Sequence, residues 1–194
     1  MKTKILYIAL AIVALALGAA SSGFARQSSD GDILQKAINK PSANWAIYGA
    51  GQKSAAVKDK AIAGGGAMKV EVQAPSDKPW GVGASQPIVG KVTKGDVLLV
   101  AFWAKAESVD GGPAADISAV RVQQAAAPYD AALQGGLKVE GEWKMYTVPG
   151  RATIDIPAGG GVSLHLGAAK QTVLLGPVFV LDFGPDYDLK KLAQ

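Results

Sequence analysis

Residues 97–106 read VLLVAFWAKA. Leu98, Val100 and Phe102 alternate with Val97, Leu99, Ala101 and Trp103, so an extended chain here offers apolar side chains to both sides. Ten residues of this composition, rich in β-formers and uncharged until Lys105, suit a strand inside a sheet rather than at its edge. Phe102 and Trp103 then point to opposite faces. One faces a core, and the other faces either a groove or a second buried layer.

Working outward, shorter runs repeat the extended pattern between Gly, Pro and Asp clusters. Residues 67–73 (AMKVEVQ) alternate Met68, Val70 and Val72 against Lys69 and Glu71, giving one buried and one wet face. Residues 116–124 alternate Val120 and Val122 against Arg121 and Gln123. Further strands are expected at 55–60, 80–88, 143–148, 161–168 and 172–183. Glycine clusters at 64–66, 111–112 and 159–161 stand where turns are needed. Eight strands with no long helix between them predict an all-β protein, an antiparallel β-sandwich of the jelly-roll kind. Before them, residues 32–39 (DILQKAIN) place apolar side chains at 33, 34, 37 and 38, a helical spacing that Pro41 ends.

The chain starts with Lys2 and Lys4, then an uncharged run from 5 to 20 (ILYIALAIVALALGAA), then small residues up to Gly23-Phe24-Ala25. That is the layout of a secretory signal peptide cleaved near Ala25. The expected organisation is a signal peptide at 1–25, a flexible segment with a short helix at 26–43, and a sandwich at 44–190. The expected location is secreted or periplasmic, with no membrane attachment after cleavage.

Composition narrows the function. The 194 residues hold 24 glycines, no cysteine and one histidine, His165. Disulfide scaffolds, thiolate nucleophiles and multi-histidine metal sites are excluded. The net charge of +4 comes from 20 basic against 16 acidic residues. Lys2 and Lys4 leave with the signal, so the remainder carries 18 against 16 and little charge bias. No basic run suits a nucleic-acid backbone.

Catalytic signatures are missing. Gly81-Val82-Gly83-Ala84-Ser85 lacks the spacing of a nucleophile elbow. Gly90-Lys91 is followed by Val92 where a phosphate loop has Ser or Thr. No catalytic residue is assigned. The acids mostly adjoin glycine, proline or lysine, which reads as turn chemistry. A glycosidase needs two converging carboxylates, and sequence cannot place such a pair.

What remains is a surface suited to sugars, which bind through flat aromatic faces and planar polar side chains. Trp80, between Pro79 and Gly81, is either a stacking platform or a packing residue against Pro79 and Pro87. Arg121 and Gln123 share one strand face, either a groove or a solvated sheet. Tyr129 follows Pro128 at a loop edge, and His165 faces a groove or solvent. Trp143 is expected to pack in the core and Trp45 near the first strand.

The segments GGAMKVEV (65–72), PWGV (79–82), VLLVAFWAKA (97–106), EWKMYTV (142–148), VSLHLG (162–167) and QTVLLGPVFVLDFG (171–184) together resemble carbohydrate-binding modules of families 4, 9 and 22. Those are galactose-binding-like jelly rolls, usually appended to xylanases and related secreted enzymes. The resemblance spans residues 44–190. It implies Trp80, Arg121, Gln123, Tyr129 and Gln171 as ligand-binding residues and a polysaccharide or oligosaccharide as partner. Gly176-Pro177 stands where the family commonly has paired acids, a departure at the place of a calcium or acidic contact. No cofactor is expected; a structural calcium is left open, although no DxDxDG pattern marks one.

The function expected is a non-catalytic, exported carbohydrate-binding protein with a groove on one sheet, working beside separate carbohydrate-active enzymes. The alternatives are a jelly-roll glycoside hydrolase or polysaccharide lyase, and an envelope or assembly protein with no glycan site.

Overall fold

A computed structural model describes residues 33–192 apart from 63 and 111. The signal-peptide reading therefore lies outside the described residues. Ten strands occur in chain order: β1 (Ala46–Tyr48), β2 (Gln52–Lys58), β3 (Gly66–Val72), β4 (Gly83–Pro87), β5 (Val97–Val109), β6 (Ala115–Gln123), β7 (Ala131–Val139), β8 (Lys144–Arg151), β9 (Gly161–His165) and β10 (Gln171–Asp182). They form two five-stranded antiparallel sheets, β1-β4-β9-β6-β7 and β2-β3-β10-β5-β8. The all-β sandwich expected from the strand pattern is the architecture found.

The run at 97–106 is the interior strand its pattern demands. Leu98, Val100, Phe102, Ala104 and Ala106 point between the sheets, where they meet Val70, Val72, Val120, Val122, Leu164, Val178 and Val180. Phe102 is fully buried, a burial that contributes roughly 1.5–3 kcal/mol. On the other face, Val97, Leu99 and Ala101 join Phe179, Leu181 and Leu192 beneath Ile33, Leu34 and Tyr187. Trp103 packs beside Ile62, Ala67 and Leu174, with Trp143 in the same layer. The second face of β5 is thus a second buried layer, not a groove.

Trp45 is buried in the main core, and its indole N–H donates to the Gly176 carbonyl at 2.9 Å. Trp143 differs from its expected core position. It is half-buried on the outer layer, and its Nε1 donates to Asp59 Oδ2 at 2.7 Å. A central strand tolerates proline only where pairing is interrupted. Accordingly, the β5–β10 register shifts between Leu175 and Val178, around Gly176-Pro177. A Cβ on Gly176 would lie 2.8 Å from the Cβ of Trp103, so the bulge also brings the strands close.

Two expectations need correction. Only Ile33 and Leu34 are helical among the described residues of 32–39. Ala37 then bridges to Leu181, and Asn39 bridges to Ile88. Pairing with the sandwich overrides the local helical spacing. Residues 80–88 are not one strand either. Pro79–Gly81 is a single 3-10 turn, and pairing starts at Gly83. The strand at β7 was not anticipated, because Gly135-Gly136 interrupts its pattern. Both glycines answer to crowding. A Cβ on Gly135 would lie 2.7 Å from Val148 of the facing sheet, and one on Gly136 would lie 2.8 Å from the Ser118 carbonyl.

Asn39 fastens the N-terminal segment. Its side-chain amide donates to the Val178 carbonyl at 3.0 Å and accepts from the Val180 N–H at 2.9 Å. Asn39 is buried, so neither backbone group has water to turn to. Asn39→Leu should leave both unsatisfied and lower unfolding free energy by about 2–4 kcal/mol in urea denaturation. A loss below about 0.5 kcal/mol would show that the amide is dispensable.

Candidate functional site

The sheet β1-β4-β9-β6-β7 has one face in the core and one face outward. Its register sorts the side chains in rows. Ala84, Leu164 and Val120 stand abreast and point inward, as do Val162, Val122 and Leu133. The alternate rows point out. One runs Tyr48, Gly83, His165, Ala119; the next runs Ala46, Ser85, Ser163, Arg121, Gln134; the third runs Pro87, Gly161, Gln123, Ala131. All of these residues except Ala46, Gly83 and Ala131 line a cleft of about 1010 Å³. Arg121 and Gln123, placed on one face by the alternation of β6, both line it.

Trp80 stands at the cleft margin, on the Pro79–Gly81 turn. Proline sets the first position of that turn. The Gly81 N–H donates to the Lys78 carbonyl at 2.7 Å, and the Gly167 N–H donates to the Pro79 carbonyl at 2.9 Å. A Cβ on Gly81 would overlap the Ser76 hydroxyl. The turn is therefore pinned on both sides of the tryptophan while the ring stays 54% exposed. Its centroid is 6.1 Å from that of His165, with the planes tilted by 50°. The Lys78 ammonium sits 5.8 Å from the same indole. Trp80 is therefore exposed at the cleft margin rather than buried against Pro79 and Pro87.

Tyr129 lines the cleft from the loop between β6 and β7, 48% exposed and at a left-handed φ of 58°. Its carbonyl accepts from Arg121 Nη2 at 2.9 Å. The Arg121 Nε and the Gln123 Oε1 are covered and have no hydrogen-bond partner among the described residues.

Gln171 does not belong with these residues. It is 2% exposed and lies outside the cleft. Its Oε1 accepts from the Asp116 N–H at 2.6 Å, and its Nε2 donates to the carbonyls of Asp116 and Leu166, both at 2.8 Å. Every bond goes to backbone, so Gln171 joins strand ends with both amide hydrogens used, buried away from the cleft.

Tyr48, Ser163 and Gln134 line the cleft and were not anticipated. The Tyr48 and Ser163 hydroxyls are 3.0 Å apart. A Cβ on Gly83 would overlap the Tyr48 phenol, so glycine there lets the tyrosine lie across the sheet. Tyr48 sits in a three-residue strand, too short to register as a pattern. Among the described residues, no three His, Cys, Asp or Glu side chains cluster as a metal site.

His165 is 7% exposed. Burial holds its imidazole below the ordinary value, and the nearby Arg121 charge pushes it further down. The unfolded chain therefore takes up a proton before the folded one. This histidine favours the folded state above about pH 6.5, and that contribution is lost as pH falls through the lower folded value. The stability difference between wild type and His165→Gln should thus narrow between about pH 7 and pH 5. A difference that stays flat in chemical denaturation across that range would contradict a depressed imidazole.

No family model matches the chain, and no curated protein matches it. Solved structures do. The second N-terminal cellulose-binding domain of a Cellulomonas fimi β-1,4-glucanase C superposes with a TM-score of 0.57 at 21% identity, covering 75% of this chain and 94% of that one. A carbohydrate-binding module of family 4 gives a TM-score of 0.54 at 20% identity, over 71% and 94% of the two chains. An arabinose-bound α-L-arabinofuranosidase gives 0.54 at 14% identity, with 77% of this chain matching 26% of the enzyme. At these identities the likeness is one of fold, and the fold is the β-sandwich of carbohydrate-binding modules.

Proposed function

We propose that this chain is a non-catalytic carbohydrate-binding protein that holds a poly- or oligosaccharide in the cleft of the β1-β4-β9-β6-β7 sheet. The observation that carries this reading is the meeting of an exposed indole on a pinned turn with a floor of amides, hydroxyls and a guanidinium. Trp80 stacks on a sugar ring, and Tyr129 offers a second aromatic face. Gln123, Gln134 and Arg121 pair with hydroxyls. The unpartnered Gln123 Oε1 is one acceptor such a ligand can reach by a small rotation of its side chain. The sandwich likeness to cellulose-binding and other carbohydrate-binding modules supports the same reading. An affinity of about −4 to −8 kcal/mol, millimolar to micromolar, suits so open a site.

The N-terminal run at 1–25 fits export to the periplasm or the medium, where glycans and separate carbohydrate-active enzymes would be the partners. A glycosidase finds little support in the cleft, because no Asp or Glu is among its lining residues. A polysaccharide lyase has one observation in its favour. The imidazole of His165 and the phenol of Tyr48 share the cleft, a base and an acid of the kind β-elimination uses. Ultraviolet absorbance from a new C4=C5 double bond, appearing when a uronate polymer is mixed with the protein, would establish that reading.

Trp80→Ala should lose retention in affinity gels cast with soluble xylan, β-glucan or pectin while keeping the wild-type melting temperature. Trp80 is 54% exposed and belongs to none of the hydrophobic clusters of the core, so its loss should leave the fold standing. Retention equal to wild type would remove Trp80 from the site.

A further inference from the structure

The charge of the cleft is one-sided. Arg121 stands in its floor, and Lys78 stands over the indole at its margin. No carboxylate is among the residues lining it. The four ion pairs among the described residues, Lys69–Glu107, Lys138–Asp116, Lys144–Glu140 and Lys170–Asp110, include neither cation. Arg121 is half-buried, and among the described residues its one hydrogen-bond partner is a neutral carbonyl, that of Tyr129. That bond holds the guanidinium in place without balancing its charge. The guanidinium lies close enough to His165 to add to the effect of burial in lowering its imidazole below the ordinary value. A partly desolvated cation without a counter-charge favours an incoming anion. Guanidinium also pairs with carboxylate or sulfate in a planar, charge-assisted geometry.

We propose that the cleft selects an acidic glycan, one whose sugars carry a carboxylate or a sulfate ester, and that Arg121 receives the anionic group. This rests on the glycan-binding reading above and adds its ligand class. Trp80 supplies stacking that any pyranose can use. Arg121 supplies discrimination, since a neutral sugar leaves the cation unbalanced. Lys78, displaced from the indole when a sugar stacks there, adds a second positive charge at the margin.

The test titrates the protein calorimetrically with three oligosaccharides of equal length: oligogalacturonate, its carboxyl-reduced counterpart, and the sulfated form of that reduced oligomer. Either anionic form should bind about tenfold or more tighter than the neutral one at low salt, as one charge-assisted hydrogen bond allows. The preference should shrink as salt rises. Whichever anion wins identifies the carboxylate or the sulfate as the group received. Arg121→Gln should collapse the ratio of acidic to neutral affinity toward one, and Arg121→Lys should recover part of it. Should Arg121→Gln fail to fold, the salt dependence of the wild-type ratio carries the test alone. Equal binding of all three oligomers, lost in Trp80→Ala, overturns the acidic preference and leaves glycan binding standing. Binding to none of them, and to no neutral polysaccharide either, overturns both.

Discussion

Strand β9 carries the constraint on which the cleft depends. It is five residues long and pairs on both sides, with β4 and with β6. Val162 and Leu164 must reach the core, so Ser163 and His165 must face out. A slip of one residue would turn a serine and a histidine into the apolar core and a valine and a leucine toward the cleft, which the packing between the sheets opposes. The hydrophobic demand of the core therefore fixes which side chains of β9 form the floor of the cleft. The same alternation in β6 carries Arg121 and Gln123 into line with Ser163 and Gly161.

What was legible in the amino-acid order follows from this. Period-two alternation is a local property, so residues 97–106, 67–73 and 116–124 disclosed their strands and the faces of Arg121 and Gln123. Trp80 was legible as an unusual residue because proline and glycine bracket it, and those residues form the turn that projects it. Gln171 was not legible. A glutamine at a strand start looks like a polar surface residue, but its fate is decided by the backbone of Asp116 and Leu166, distant in sequence or beyond a turn. Tyr48 was hidden for a similar reason. Only the absence of a side chain at Gly83, 35 positions away by residue number, makes room for it. β7 was hidden by its own glycines, which relieve contacts with Val148 and Ser118 that no local pattern reports.

The helical spacing of residues 32–39 shows the limit from the other side. The periodicity is real, but a segment this short gains little from helix formation alone. Bonds from the Asn39 side chain to β10, and bridges from Ala37 and Asn39, satisfy backbone groups that the helix would have left to water. Covering the outer face of β5 and β10 is worth more than one turn of helix. Ile33 and Leu34 keep the turn and also serve that cover.

The lysine poised over Trp80 also shields an exposed ring. An exposed indole on a rigid turn is adhesive toward any apolar surface, including another copy of the same protein. Lys78 acts as a resident occupant. Its cation–π contact is worth roughly 0.5–1 kcal/mol at such exposure, enough to discourage casual partners and too little to hold off a well-matched one. On the proposed reading, a sugar that stacks on this ring exchanges places with Lys78, and part of the selectivity proposed for the cleft lies in what a newcomer must displace.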